Sequence, residues 1–330
     1  MMSPGSQENN SDQEVEVTLR PQTLKEYIGQ SQIKKNLSIF IEAAKKRNDP
    51  LEHILIHGSP GLGKTTLANI IAKECAVNIK ITSGPALEKQ GDIAAILSSL
   101  KNRDILFIDE IHRLKPAIEE VLYTAMEDFG IDLVIGKGPS ARTMRLKLPK
   151  FTLIGATTKM SMLSSPLRDR FGSVLHLNFY DDNDICTIIE RSAKLLNCNI
   201  ENSAGSLLAT ASRNTPRIAN RLLRRIRDFK DYYGHDIITT ALVADALKEL
   251  GIDELGLDET DRQILKTIID KFKGGPVGLN TIAASICAEE STIEEVYEPF
   301  LLKLGMMERT PRGRLATENA YKHLGMSIIS

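Results

Sequence analysis

The segment Gly58-Ser59-Pro60-Gly61-Leu62-Gly63-Lys64-Thr65 follows directly on the apolar run Ile54-Leu55-Ile56. Glycines at this spacing let backbone N–H groups turn inward around phosphate oxygens. Lys64 adds a point charge for β- and γ-phosphates, and the Thr65 hydroxyl can ligate Mg2+. A helix expected from Thr65 to about Ala76 directs its positive end at the same anion. A chance glycine-rich turn would not need the preceding strand, the lysine and the hydroxyl together. The ligand class is therefore a nucleoside triphosphate.

Further residues could act on it. Leu106-Phe107-Ile108-Asp109-Glu110 is an apolar strand ending in two acids. Asp109 is placed to hold Mg2+ and Glu110 to polarise an attacking water. Alone, such a pair is commonly a helix cap; about 45 residues after a phosphate loop it suits phosphoryl transfer, where positioning and charge neutralisation dominate. Ile154-Gly155-Ala156-Thr157-Thr158 is a strand ending in two hydroxyls, either of which could sense the γ-phosphate. Arg168 and Arg170 stand in Pro166-Leu167-Arg168-Asp169-Arg170-Phe171, either as a solvated ion-pair cluster or as an arginine finger from a neighbouring subunit. Arg217 begins a helix at Pro216 and could reach phosphates from above; Arg221, Arg224, Arg225 and Arg227 follow it, of which Arg224 and Arg227 read as a solvated face.

These residues need a scaffold. Candidate strands Ile54–His57, Asn78–Thr82, Asp104–Ile108, Phe151–Ala156 and Val174–Leu177 alternate with helical patterns, the signature of a parallel α/β sheet. Residues 130–149 break the alternation. Ile131, Leu133 and Ile135, a Gly136-Lys137-Gly138-Pro139 turn, then Met144, Leu146 and Leu148 form two period-2 arms, hence an inserted β-hairpin. Its apolar face must be covered by the domain's own core or by a partner. From Asp181-Asp182 the chain turns helical. Near Gly256 begins a unit of three short helices (about 259–272, 278–287 and 291–304) and a Thr310-Pro311-Arg312-Gly313 turn between two strands, the winged-helix pattern. The expected domains are a polar N-terminal arm over 1–16, disordered, an ATPase-type domain over 17–181, a helical lid over 182–254 and a winged helix over 255–330.

With 330 residues and net charge −1, several domains are expected and global basicity is excluded, so nucleic-acid contact must come from local clusters. In residues 255–330 nine Lys and Arg face eleven Asp and Glu. The cluster Arg309, Arg312 and Arg314 can still contact phosphates, and nothing in this unit suggests base readout. Cys75, Cys186, Cys198 and Cys287 have no metal-binding spacing and read as free thiols in a reducing, cytoplasmic compartment. No run is long and apolar enough to span a membrane.

Leu19-Arg20-Pro21, Tyr27-Ile28-Gly29-Gln30, Gly58–Thr66, Leu106–His112, Glu127-Asp128-Phe129, Gly155–Thr158, Ser165–Phe171 and Thr215–Arg225 together resemble an AAA+ ATPase. Gly274-Gly275-Pro276-Val277-Gly278-Leu279 with Arg309-Thr310-Pro311-Arg312-Gly313-Arg314 is similar to the RuvB family of Holliday-junction branch-migration motors, a likeness running from about residue 17 to 325. Ser59, Thr124 and Lys159 depart from the family pattern without removing a chemical group.

The resemblance implies a fold of three parts: an α/β P-loop AAA+ ATPase domain, a small helical lid and a C-terminal winged helix. It implies ATP or ADP and Mg2+ as ligands. It implies that Lys64 and Thr65 are the phosphate lysine and Mg2+ ligand, Asp109 the second metal residue, Glu110 the catalytic acid, Thr158 the γ-phosphate sensor, Arg170 the finger in trans and Arg217 the lid sensor. Leu19, Arg20, Tyr27, Ile28, Tyr180 and Ile218 would surround the adenine. Gly61, Leu62, Gly63 and Thr66 would complete the phosphate loop, with Glu127, Asp128 and Phe129 in the nucleotide region. Arg309, Arg312 and Arg314 would touch DNA. Ile131, Leu133, Ile135, Met144 and Leu146 would dock the junction-binding protein RuvA. The family further implies a homo-hexameric ring on duplex DNA at Holliday junctions, with a junction resolvase as third component. The alternative class is a DNA-binding nucleotide switch with slow turnover, initiator-like or clamp-loader-like; the C-terminal motif pair and the inserted hairpin speak against it.

Overall fold

The computed structural model describes residues 18–135 and 142–327. The expected arm over 1–16 and the Gly136–Pro139 turn lie outside the described residues, as do the side chains of Leu133 and Ile135. The chain divides into two compact units, one of Arg20–Gly58 with Leu62–Asn178, the other of Leu19, Ser59–Gly61 and Phe179 onward.

The first unit is built on a five-stranded parallel sheet in the order β2-β3-β6-β1-β7, with β1 Ile54–His57, β2 Ile79–Ser83, β3 Ile105–Asp109, β6 Thr152–Thr157 and β7 Ser173–His176. The apolar runs of β1, β3 and β6 are buried along almost their whole length, as strands covered on both faces must be. Each observed strand lies within one residue of its expected place. Helices Ser31–Arg47, Lys64–Cys75, Gln90–Ser98 and Pro116–Asp128 complete the unit. Leu55, Leu106, Ile108, Leu153 and Phe151 share a buried cluster with Ile93, Leu122 and Ile131.

The inserted hairpin is present as β4 Gly130–Ile135 paired antiparallel with β5 Arg142–Lys147. Its base belongs to the core: Ile131 and Leu148 are buried and Leu146 packs beside them, while Met144 is exposed. Ile131 therefore sits inside this unit rather than on a docking face.

His53, at the foot of β1, is buried between backbone groups. Its Nδ1 accepts from the Leu153 N–H at 2.8 Å and its Nε2 faces the Met126 carbonyl at 3.1 Å, a pattern met by the neutral ring carrying its proton on Nε2. Burial holds the His53 pKa below its ordinary value.

The second unit opens with helices Asp182–Leu195, Asn202–Ala211, Pro216–Tyr233 and Thr240–Glu249, with a two-residue parallel pairing of β8 Asn199–Ile200 and β9 Ile237–Ile238. Asp181 caps the first, its side chain accepting from the Asp184 N–H at 2.7 Å, and Pro216 starts the third at N1. The winged helix follows: Glu259–Lys266 continuing through a wide turn to Lys271, Leu279–Ile286, and Glu290–Lys303 interrupted by a second wide turn at Ile293–Tyr297. β10 Met307–Thr310 and β11 Gly313–Ala316 form the wing, and helix Glu318–His323 closes the unit.

The wing explains why the two C-terminal sequence blocks occur together. Val277 exchanges both backbone bonds with Arg314, at 3.0 and 2.8 Å, an isolated antiparallel bridge beside β11. Gly313, at φ +140°, lies so close to that bridge that an added Cβ would stand 2.4 Å from the Val277 carbonyl oxygen.

The same pairing corrects one expected DNA contact. Arg314 is turned inward, its side chain only 11% exposed, and its Nε and Nη2 both donate to Glu298 Oε2 at 3.2 and 2.9 Å. Glu298 itself is 2% exposed. A buried carboxylate requires such a fork, so Arg314 is committed to the wing's foundation. Arg312, at the turn, is exposed; Arg309 is 58% exposed and lies 3.7 Å from Glu298 Oε1.

Two outcomes follow from these environments. Folded His53 resists a proton that the unfolded ring accepts below about pH 6.5, so its contribution is present above that pH and is lost on acidification. Thermal melts from pH 7.5 to 5.5 should lose stability, and H53Q should show a flatter slope from a lower starting point. In the wing, E298A strands the buried Arg314 charge and should cost about 3–5 kcal/mol of winged-helix stability, whereas R312A should stay within about 0.5 kcal/mol, as read by denaturant titration.

Candidate functional site

Parallel strands end at one edge, and β1, β6 and β3 each deliver chemistry there. β1 ends at His57 and runs into Gly58. In that sharp exit Gly58 has φ +147°, and a Cβ on it would meet the Leu177 carbonyl oxygen at 2.6 Å. Helix Lys64–Cys75 then begins with Gly63 at its N-cap. Lys64 is buried and its Nζ donates to the Gly58 carbonyl at 2.8 Å, so its charge is held over the loop's own backbone.

β3 carries Asp109 at its last position, opposite Ser83 of β2. The Thr65 hydroxyl donates to Asp109 Oδ2 at 3.3 Å. A hydroxyl and a carboxylate oxygen facing one another across 3.3 Å form a hard, oxygen-only donor pair of the kind Mg2+ takes, and a soft metal would not be favoured. Glu110 follows with φ +49°, its carboxylate 3.4 Å from His112 Nε2. His112, which sequence reasoning passed over, is buried and bridges two motifs: its Nδ1 lies 2.9 Å from Thr157 Oγ1.

That contact separates the two threonines. Thr157 is fully buried, held by His112 and accepting the Lys159 N–H at 3.0 Å. Thr158 is the half-exposed one, one residue beyond β6. Thr157 is the last residue of a strand buried on both faces, and Thr158 leaves the core because the strand ends before it.

Arg170 belongs to a different cluster. Its Nη2 lies 3.0 Å from Glu127 Oε1, its Nη1 donates to the Pro166 carbonyl at 2.6 Å, and its guanidinium sits 4.7 Å from the Tyr123 ring centre. Tyr123 and Ser164 both bond Glu119, at 2.9 and 2.5 Å. Glu127, Asp128 and Phe129, expected in the nucleotide region, have other partners here. Glu127 pairs with Arg170, Asp128 with Arg145 at 2.7 Å, and Phe129 packs edge-on against Phe151. Arg168 is exposed and lies 3.6 Å from Asp169.

Of the expected adenine residues, Tyr27 is buried with its hydroxyl 3.5 Å from the Leu62 carbonyl, and Arg20 and Ile28 are half-buried in the same unit. In the second unit Leu19 and Tyr180 are buried and Ile218 half-buried. The Leu19 carbonyl accepts from Arg191, and the Tyr180 N–H donates to the Asn214 carbonyl at 3.1 Å. Arg217 is exposed at the start of its helix, and its N–H points at the Gly61 carbonyl at 3.4 Å.

The arrangement is a lysine and an oxygen pair at a glycine loop, a carboxylate beside them linked to a buried histidine, and a separate arginine paired within its own chain. It suits hydrolysis of a phosphoanhydride.

Comparison with known proteins gives the family. Residues 19–177 match the model of the Holliday junction DNA helicase RuvB P-loop domain, residues 180–253 that of the RuvB AAA lid domain, and residues 254–325 that of the RuvB C-terminal winged helix domain. The chain is 58% identical over 315 residues to the Holliday junction branch migration complex subunit RuvB of Dehalococcoides mccartyi (strain CBDB1), covering 96% of this chain and 90% of that protein. Among solved structures it matches the Thermotoga maritima RuvB Holliday junction branch migration motor with a TM-score of 0.87 at 52% identity, covering 94% of this chain and 100% of that one. The ORC2 protein of Aeropyrum pernix, at 18% identity and a TM-score of 0.55 over 88% of this chain and 90% of its own, shares the fold alone. The P-loop domain, the lid and the winged helix all carry the same family's signature in one chain, which therefore belongs to the RuvB family.

Proposed function

We propose that this chain is an ATP-driven motor that moves duplex DNA and drives branch migration of Holliday junctions. It works as a hexameric ring with RuvA and alongside a junction resolvase, in the cytoplasm. The observation that carries the reading is Thr65 facing Asp109 at 3.3 Å beside the buried Lys64, on a glycine loop at the end of a parallel sheet.

In the proposed mechanism the loop N–H groups and Lys64 hold the β- and γ-phosphates. Thr65 and Asp109 would hold Mg2+, which when bound would supply neutralisation of phosphate charge. Glu110 orients the attacking water and takes its proton as the bond to the bridging oxygen breaks. His112 fixes that carboxylate and Thr157, leaving Thr158 to bond the γ-phosphate. Arg170 serves a neighbouring subunit's nucleotide, presented from its Glu127–Tyr123 seat. In its own chain Arg170 is engaged by Glu127, and as a finger in trans it would supply roughly 10³–10⁵ in rate.

Arg309 and Arg312 face the DNA backbone while Arg314 holds the wing beneath them. Phosphate contact without base readout suits a motor that must pass over every sequence. Met144 and Leu146, with Leu133 and Ile135 of the same hairpin, dock RuvA, and Ile131 anchors the hairpin's base.

Mixing separates a shared active site from a self-contained one. R170A should hydrolyse ATP roughly 10³–10⁵-fold slower than the native chain and E110Q roughly 10²–10⁴-fold slower, and mixing them should restore turnover, because one subunit then donates the arginine and another the carboxylate. Wild-type hydrolysis by R170A alone would overturn the trans assignment. At the wing, R309A and R312A should each weaken binding to duplexes of any sequence and reduce the slope of log affinity against log salt by about one.

A further inference from the structure

The four-residue turn Ser212–Thr215 connects helix Asn202–Ala211 to the helix that carries Arg217. Its two central residues, Arg213 and Asn214, are both left-handed, at φ +52° and +53°. Non-glycine residues avoid that conformation, and two in succession reverse the chain within one step. The result is that neighbouring side chains of one turn are bound to different parts of the molecule.

Arg213 is gripped by the winged helix. Its side chain is 8% exposed. Its Nη2 donates to Asp261 Oδ1 at 3.1 Å and reaches the Val296 carbonyl at 3.4 Å, and its Nη1 lies 3.6 Å from Asp258. The guanidinium plane lies 4.7 Å from the Phe300 ring centre and 5.4 Å from that of Tyr297. Asp258 and Asp261 are the reciprocal capping box that starts helix Glu259–Lys266, so the arginine holds the first winged-helix helix by its cap and the third by two aromatic faces. A planar fork fixed on both edge and face transmits rotation as well as displacement, which a flexible ammonium does not.

The other side of the turn, and the helix it starts, lie against Tyr180 and Gly61, both assigned to the nucleotide. The Asn214 carbonyl accepts the Tyr180 N–H at 3.1 Å, and Asn214 Nδ2 donates to Asp182 Oδ1 at 2.8 Å. The Arg217 N–H meets the Gly61 carbonyl at 3.4 Å, and Gly61 clusters with this unit. An added Cβ on Gly61 would stand 3.2 Å from the Arg217 Cβ, so that approach is close and leaves little slack.

We propose that Arg213 is a positioning residue of the motor: it makes the winged helix follow the turn that bears Arg217, so that nucleotide-dependent movement of that turn becomes movement at the DNA. The inference rests on the assignment of Arg217 to the nucleotide and of the winged helix to DNA. It adds a residue that touches neither ligand and whose loss separates hydrolysis from work.

The test uses the full chain with a four-way junction and RuvA, measuring ATP hydrolysis and junctions migrated per ATP consumed. R213A should keep basal hydrolysis and its KM within about twofold of the native chain while migration per ATP falls roughly tenfold or more. R213K, which keeps the charge without the fork or the plane, and D261N, which keeps the shape without the charge, should fall between. They also carry the test if R213A melts at a lower temperature. The inference is overturned if hydrolysis and migration fall by the same factor in R213K and D261N, since that is the mark of general destabilisation, or if migration per ATP is unchanged. R217A is the separate check on the underlying assignment. Normal hydrolysis by R217A removes Arg217 from the nucleotide site, whereas uncoupled hydrolysis by the Arg213 variants still identifies the joint.

Discussion

Three parallel strands ending at one level are the constraint on which the site depends. β1, β6 and β3 are neighbours in register, pairing His57 with Thr157 and Ile108 with Gly155. Parallel pairing brings every carboxyl end to the same edge, so the glycine loop, the hydroxyl pair and the two acids meet there without any one of them being adjacent in sequence. Burial on both faces removes the freedom to slip: a shift of one residue would put Thr157 where an apolar side chain belongs and turn the following residue inward. His112 reinforces the register from outside the sheet, bonding the buried hydroxyl and standing beside Glu110. Glu110 and the end of β6 are thereby tied to one imidazole.

Charge is used in two opposite ways. Arg314 with Glu298, and Arg213 with Asp261, are buried pairs in which each carboxylate is 2% exposed or less. Burial outweighs the attraction of Arg213 and pushes the Asp261 carboxyl up to about 7, which shows how costly that position is for an anion. Such pairs are poor sources of net stability but strict in geometry, because each guanidinium must satisfy its partner from one orientation. Arg312 stays in water, where orientation is loose and screening strong, and Arg309, though exposed, lies beside Glu298 and Glu294.

The signals that could be read directly were local ones. Apolar runs locate the five strands to within a residue, and the glycine loop, the acid pair and the winged-helix pattern all follow from spacing within a short window. What remained open depended on distant partners. Thr157 and Thr158 are equivalent on a strand end until His112, 45 residues earlier, takes one of them. Arg312 and Arg314 look alike in one turn, yet Arg314 faces Glu298 across 16 residues and is lost to the surface. Glu127 reads as part of a nucleotide motif, but its nearest cation is Arg170. Arg213 has no local mark at all: its meaning lies in Asp261, 48 residues on, and in the rings of Tyr297 and Phe300.

A motor acting on arbitrary DNA has conflicting requirements at its two ends. At the DNA it must tolerate any base sequence and release each phosphate after holding it, which favours exposed arginines on a short turn. Between nucleotide and DNA it must not yield, because slack at an intermediate joint turns hydrolysis into heat. The buried guanidiniums meet the second requirement: Arg314 is held by a carboxylate on its edge, and Arg213 by a carboxylate on its edge and rings on its face, which leaves it one low-energy orientation. The backbone of the wing meets it too: Val277 ladders with Arg314, and Gly313 permits an approach that any side chain would block. The same residue type is thus exposed to solvent at Arg312 and fixed in place at Arg314 and Arg213, and its surroundings decide which.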